Sequence, residues 1–320
     1  MKFKQILQIF NVIKNHRYLY FLYNKDMDQY VNYSCINSLN PECIATNIRL
    51  LSHALEKGMS LPNCRKGFGK QKILELIDLC AKYESIEKHQ DIEAVNLAYT
   101  VIKAYMSMQA SLDVDLSFIP IEVRNRALKA TDDAGYIKMN CKVSPELFIQ
   151  VAEHRHSLRY FSDKPLKVED IYRAVSLAQT APSACNRQPI RVYAVTNMDK
   201  IAEIMQLHGG IRSFGKPTCI FIITSDLVLY HGEYERNTAY VDGGIFTMNL
   251  LYALDSVNIA SCPAIWGNIP CDDQKLSNIA GISPSHRIIN LIVAGYYPDG
   301  EYKVAASTKR NTNTILRIIQ

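Results

Sequence analysis

Residues 181–195 read Ala-Pro-Ser-Ala-Cys-Asn-Arg-Gln-Pro-Ile-Arg-Val-Tyr-Ala-Val. Helical apolar periodicity ends at Ala178, and an alternating strand runs from Ile190 to Thr196. Pro182 and Pro189 bound the turn between them and stiffen it. That turn carries Ser183, Asn186 and Gln188. A carboxamide offers both donors and acceptors, so Asn186 and Gln188 can read the mixed N–H and C=O edge of a flavin pyrimidine ring without placing a charge beside its redox chemistry. The same residues also read as a well-capped turn before a strand, which taken alone is the stronger reading.

Upstream stands His154-Arg155-His156-Ser157-Leu158-Arg159-Tyr160-Phe161. Its two arginines, two histidines and serine form a cluster of charge-assisted donors suited to a phosphate monoester, although such clusters are more often solvated surface. Together the two segments resemble the FMN-dependent nitroreductase superfamily, over the region from about Val151 to the C-terminus. The family signature is Arg-Arg/His-Ser-x-Arg/Lys-x-Phe followed by Ala-Pro-Ser-x-x-Asn-x-Gln-Pro, and both stand here in order and at the expected spacing. His156 occupies a position where arginine is commoner, and Ile190 one where an aromatic is usual.

The resemblance implies an α+β fold, a mixed sheet flanked by helices and preceded by a helical N-terminal region, with the division at 1–143 and 144–320. It implies that Arg155, His156, Ser157 and Arg159 hold the FMN phosphate, while Pro182, Ser183, Asn186 and Gln188 surround the ring. Ser261-Cys262-Pro263-Ala264-Ile265-Trp266-Gly267-Asn268 matches a loop over the flavin. There a backbone N–H at Trp266-Gly267 would bond N5 and stabilise the reduced form. Trp266, the single tryptophan, reads either as a ring stacked on the flavin or as a core aromatic. After the Gly295-Tyr296-Tyr297-Pro298 turn, Ser307-Thr308-Lys309-Arg310 matches a segment whose basic residue closes over the phosphate; Arg310 is the first candidate and Lys309 the second. In this family the two halves of the site come from different subunits of a homodimer. NADH or NADPH would supply hydride and an electron-poor small molecule would accept electrons in a ping-pong cycle, with no catalytic side chain required. Two alternatives remain open: a specialised flavin enzyme that does not use NAD(P)H, and a dimeric flavin-binding accessory protein of surface-polysaccharide biosynthesis. The second rests on the likeness of the N-terminal half to extensions seen in nitroreductase-like proteins of polysaccharide loci.

A chain of 320 residues can bury a large core as one large or two modest domains. Its 48% hydrophobic and 21% charged content is that of an ordinary globular protein. Nine cysteines, at 35, 43, 64, 80, 141, 185, 219, 262 and 271, form no Cys-x-x-Cys pair and no zinc spacing, which points to reduced thiols in a cytoplasmic protein without a metal site. Cys185 lies inside the turn and reads as a small packing residue rather than a redox thiol. There is no Gly-x-Gly-x-x-Gly after a strand, no P-loop, and no basic recognition helix for nucleic acid.

The net charge of +5 is matched by residues 1–25 alone, where Lys2, Lys4, Lys14, Arg17 and Lys25 meet no acid. Phe3, Ile6, Leu7, Phe10 and Ile13 fall at helical spacing before an aromatic run from Tyr18 to Tyr23. Such a basic amphipathic helix can lie on an anionic membrane surface or pack on a partner subunit, and the partner is favoured. No stretch approaches the ~20 apolar residues of a membrane span, and no signal-peptide pattern is present.

Asn40-Pro41-Glu42 is an N-cap, N1 proline and first-turn acid, with Gly58 expected to close that helix. Further helices are expected over Ile73–Cys80 and Ile92–Met108. The loop 56–70 is rich in Gly, Pro and cations, and its Arg65, Lys66 and Lys70 could meet an anion. From Ser144-Pro145-Glu146 onward helices and strands alternate, with helices at Val168–Ala178, Met198–Leu207, Tyr240–Ser256 and Asp272–Ala280, and strands at Ile190–Thr196, Cys219–Thr224 and Ile288–Ala294. Gly243-Gly244 is expected to permit close packing at a subunit interface, with ordinary helix packing as the alternative.

Overall fold

The computed structural model describes residues 3–36, 40–62, 64–87, 91–131, 135–137 and 144–320, with side chains from residue 11 onward. Lys2, Asn63, Cys141, the side chains of Phe3, Ile6, Leu7 and Phe10, and the 143/144 boundary therefore lie outside the described part.

Five helices open the chain: α1 (Phe3–Tyr33), α2 (Glu42–Ser60), α3 (Lys70–Glu84), α4 (Ile92–Ala110) and α5 (Ile121–Leu128). The stripe of α2 packs Ile48 and Leu55 against Ile73, Leu76 and Tyr83 of α3 and Val101, Ile102 and Tyr105 of α4. Helical periodicity thus becomes one apolar core of interlocking faces. The Glu42 N–H donates to Asn40 Oδ1 at 3.0 Å, which is the cap that the Asn-Pro-Glu start requires. Asp91 caps α4 in the same way, accepting from the Ala94 N–H at 3.1 Å.

Gly58 does not close α2, which continues to Ser60. The physical reason is packing: a Cβ there would stand 2.2 Å from the Phe68 ring, so the glycine makes a notch that the phenylalanine fills. Phe68 in turn lies against Tyr105, with ring centroids 5.6 Å apart. The loop 56–70 is folded onto α4, with the Gly67 N–H donating to Gln109 Oε1 at 2.7 Å. Arg65, Lys66 and Lys70 are all exposed, and the Lys70 ammonium sits 4.8 Å from the Phe118 ring centre.

The predicted start helix and the aromatic run form a single 31-residue helix, α1. Residues 11–20 are exposed throughout, including Val12, Ile13, Tyr18, Leu19 and Tyr20. Among its described side chains the last turns dock, where Arg287 donates to Gln29 Oε1 at 2.6 Å and to the Asp26 carbonyl at 2.7 Å. Among the described residues no helix is long and apolar enough to cross a membrane.

The second half carries α6 (Pro145–His154), α7 (Val168–Ala178), β1 (Ile190–Val195), α8 (Met198–His208), β2 (Cys219–Asp226), α9 (Thr238–Ser256), β3 (Ile259–Ile265), α10 (Pro270–Ala280) and β4 (His286–Tyr296). The strands form one sheet in the order β1-β2-β4-β3. All three strand pairs are antiparallel, and a parallel bridge from Ser157 to Ser261 on β3 gives the sheet its mixed character. Helices cover both faces. Phe221 and Ile223 of β2 meet α7 and α9, whereas Ile220 and Ile222 meet α8 and α10. That two-sided burial explains why β2 reads as a continuous apolar run rather than an alternating one.

Candidate functional site

The turn ahead of β1 adopts a backbone that side chains rarely accept. Cys185, Asn186 and Gln188 have φ of 50°, 50° and 53°, in the left-handed region, at a cost that surrounding bonds must offset. Those bonds are present. The Gln188 N–H donates to Ser183 Oγ at 2.9 Å, and the Asn186 N–H donates to the Ser183 carbonyl at 2.9 Å. The Ala184 N–H donates to the Asp242 carboxylate of α9 at 3.1 Å. Asn186 and Gln188 are left exposed, as is Pro182.

Sequence reasoning missed what lies beneath. Arg187, between the two exposed amide residues, has a fully buried side chain, paired at both nitrogens with Glu235 at 2.8 and 2.7 Å. Its Nε donates to the Ala184 carbonyl at 3.0 Å. Burial pushes the Glu235 carboxyl up, but the bonds from Arg187 and the His231 N–H outweigh it and hold it below the ordinary carboxylate value. A cation in an otherwise neutral turn was the available signal; its partner, 48 residues away, was not visible. A cavity of about 320 Å³ opens beside this turn, lined by Pro182, Ser183, Gln188 and Phe246 and, from the helical region, by Arg49 and Asp91.

The basic segment runs along the other side of the sheet. Ser157 bridges Ser261, and the Leu158 N–H donates to the Ser261 carbonyl at 3.1 Å, which ties the segment to edge strand β3. Leu158 and Phe161 anchor it in the core. Arg155 Nε is buried without an acceptor among the described residues. Arg159 is exposed, its guanidinium 5.8 Å from the Phe214 ring centre. His156 Nδ1 lies 2.9 Å from the His154 carbonyl. His154 itself pairs with the buried Asp255 at 2.9 Å and is taken up structurally.

Trp266 is core. Its indole is buried in the apolar cluster with Leu276 and Ile282 and donates to Asp273 Oδ1 at 2.5 Å, and the following Gly267 is exposed. The tail that carries Lys309 and Arg310 is exposed from residue 301 to the end. Its start is fixed to the basic segment by the Lys303 N–H, which donates to Tyr160 Oη at 2.6 Å. Neither cation is brought against Arg155 or Arg159 by a contact among the described residues. Gly243 packs within its own chain: a Cβ there would meet Ile289 Cγ2 at 2.7 Å, whereas one at Gly244 would meet nothing. Among the described residues no cluster could hold a metal ion.

The sheet order keeps the two halves of the candidate site apart. The turn enters β1 and the basic segment lies along β3, the two opposite edges. Three inter-strand steps of ~4.8 Å put them at least ~14 Å apart. Within one chain they do not meet.

Residues 152–210, which include both segments, match the family model described as "Nitroreductase family". A Streptococcus pyogenes protein, provisionally named NAD(P)H nitroreductase Spy0809, is 37% identical over 193 residues that cover 49% of this chain and 94% of that protein. The chain belongs to the nitroreductase family. A second nitroreductase relative, from Archaeoglobus fulgidus and provisionally named NADH dehydrogenase/NAD(P)H nitroreductase, is 24% identical over 166 residues, 51% of this chain and 92% of its own. Among solved structures, a nitroreductase family protein of Streptococcus pneumoniae covers 54% of this chain and 100% of its own at 21% identity and a TM-score of 0.47. A Bacteroides fragilis nitroreductase with bound FMN covers 54% and 98% at 18% identity and a TM-score of 0.43.

Proposed function

We propose that two copies of this chain form two FMN sites and transfer hydride from NADH or NADPH to an electron-poor small molecule. The observation that carries this reading is the separation of the two motif segments onto opposite sheet edges, which a two-fold interface would bridge by setting the turn of one copy against the basic segment of the other. At one end Arg155, His156, Ser157 and Arg159 would hold the phosphate, with Arg310 or Lys309 of the exposed tail closing over it. The orphaned Arg155 Nε fits that role, since a buried guanidinium donor without an acceptor is costly until an anion arrives. At the other end Pro182, Ser183, Asn186 and Gln188 of the second copy would meet the ring edge.

When bound, FMN supplies hydride acceptance and release at N5. The chain itself has three tasks. Its guanidinium groups neutralise the phosphate, its strained turn presents neutral amides to the ring, and the backbone at Trp266-Gly267 offers an N–H that favours the reduced form. No side chain is assigned as nucleophile or obligatory acid. The reading divides the chain into a helical domain, 1–143, and a flavin domain, 144–320, and places it in the cytoplasm, where the eight free thiols among the described residues would persist. The exposed apolar stretch of α1 favours a second reading, an accessory protein that binds flavin and docks through its helical region to a partner or a membrane surface.

Anaerobic titration of the FMN-loaded protein with NADH and then NADPH tests the proposal. Bleaching of the visible flavin bands by either donor supports the oxidoreductase and names the donor. Bound flavin that neither donor reduces supports the accessory reading, and failure to bind FMN overturns both.

A further inference from the structure

We propose that Arg187 is the positioning residue of the flavin-edge turn, held by Glu235 and backed by the helical region; this rests on the reading of that turn as the ring-binding half of the site. Arg187 lies inside the motif, yet its side chain is fully buried. Its two neighbours, Asn186 and Gln188, are exposed and left-handed, and that reversal of φ on either side drives the arginine inward while the amides face out. Beneath the turn Arg187 is secured three ways: by the two bonds to Glu235, by its own Nε to the Ala184 carbonyl, and by the Tyr230 ring 5.5 Å from its guanidinium carbon.

A second rail runs beside the first. The Tyr230 hydroxyl donates to Asp242 Oδ2 at 3.1 Å and lies 2.8 Å from Ser225 Oγ, and Asp242 accepts the Ala184 N–H. Both rails depend on the loop that carries Tyr230 and Glu235. The helical region grips that loop. Thr46 Oγ1 donates to the Val228 carbonyl at 2.9 Å, the Cys35 N–H to the Tyr230 carbonyl at 2.9 Å, and the Tyr30 hydroxyl to the Gly232 carbonyl at 2.7 Å. Contacts therefore run without a break from α1 and α2 to the amides that would meet the flavin ring. A buried ion pair is a poor source of stability, since apolar residues of similar volume often do as well, and the role inferred for this one is to fix geometry. Here it sits under three left-handed non-glycine residues, where geometry needs fixing.

The test measures binding of FMN and of riboflavin, which has the ring but no phosphate, to the full-length chain and its folded variants. Arg187→Gln and Glu235→Gln should each weaken both flavins by the same factor, about tenfold or more, as expected when one partner of a buried pair is lost. Arg187→Lys should recover part of that loss. Arg155→Ala should instead weaken FMN and leave riboflavin unchanged. Should Arg187→Gln fail to fold, Glu235→Gln and Tyr230→Phe decide the matter, because each keeps side-chain shape. Folded Glu235→Gln that binds riboflavin as tightly as the wild type overturns the positioning role. A wild-type chain that binds neither flavin overturns the reading of the site, and the role of Arg187 with it.

Discussion

Gly243 and Gly244 are adjacent on α9, yet alanine at the two positions should act in opposite directions. At Gly243 the new methyl would lie 2.7 Å from Ile289 Cγ2, 2.8 Å from Cγ1 and 3.1 Å from Cβ. These are atoms of a β-branched side chain on β4, which cannot swing aside at its Cβ. Overpacking of this kind costs about 1–3 kcal/mol. Replacing a helical glycine by alanine returns about 1 kcal/mol. With contacts this short the upper part of the overpacking range applies, so Gly243→Ala should lose about 1–2 kcal/mol. Relief of the clash would push α9 away from β4 and carry Asp242, the acceptor for the Ala184 N–H, with it. At Gly244 nothing lies within 4 Å, and alanine should add stability of about 1 kcal/mol in the chain itself. Urea unfolding at one fixed chain concentration measures both, because association would otherwise shift the midpoint. The double variant Gly243→Ala/Ile289→Ala closes the argument: the truncated isoleucine leaves room for the methyl, so the pair should lose less than the sum of the single changes. Gly243→Ala as stable as the wild type, or strict additivity in the double variant, would refute the packing account.

Two further outcomes are expected. Burial pushes the Asp226 carboxyl up, but His286, Arg191 and the Val228 N–H together hold it below its ordinary 3.8. A carboxylate with a lowered folded value contributes stability that is full above its ordinary value and is lost as the pH falls from there through the lowered value. Asp226→Asn should therefore flatten the acid limb of unfolding free energy below about pH 4, and an unchanged slope would count against the pairing. Burial also pushes the Cys80 and Cys219 thiols up to about 12, whereas Cys271 is exposed. A maleimide applied to the native protein near neutral pH should label Cys271 and spare Cys80 and Cys219; early labelling of either buried thiol would show that the cores open readily.

The elements that the sequence announced most clearly were those with local punctuation. Asn40-Pro41-Glu42 and the Gly281 stop placed the α2 start and the α10 end, and the Gln188-Pro189 step placed the start of β1. What stayed hidden depended on tertiary neighbours. Gly58 looked like a helix end because its partner, Phe68, becomes adjacent only when the loop folds back. Helix α5 was missed because half of its eight residues are polar and it buries only Ala127. Trp266 left two readings open, and the structure buries it in a core cluster most of whose members lie far away in sequence. The candidate site was legible as two motifs, and the resemblance implied that they serve different subunits; the strand order β1-β2-β4-β3 that parts them was hidden, since it is a property of the whole sheet. Arg187 was quoted within the motif and still passed over, because burial of an arginine depends on a glutamate that no local pattern marks.

The central claim is that each flavin site is assembled from two chains, and subunit complementation tests it most directly. Arg155→Ala disables one half of the site, and Ser183→Ala combined with Gln188→Ala disables the other. Neither protein alone should retain FMN. In a heterodimer of the two, one site inherits both defects and the other inherits none, so coexpression should restore flavin binding to a fraction of the sites. Continued absence of bound FMN in verified heterodimers, or FMN held by a monomer of the wild-type chain, would contradict the account.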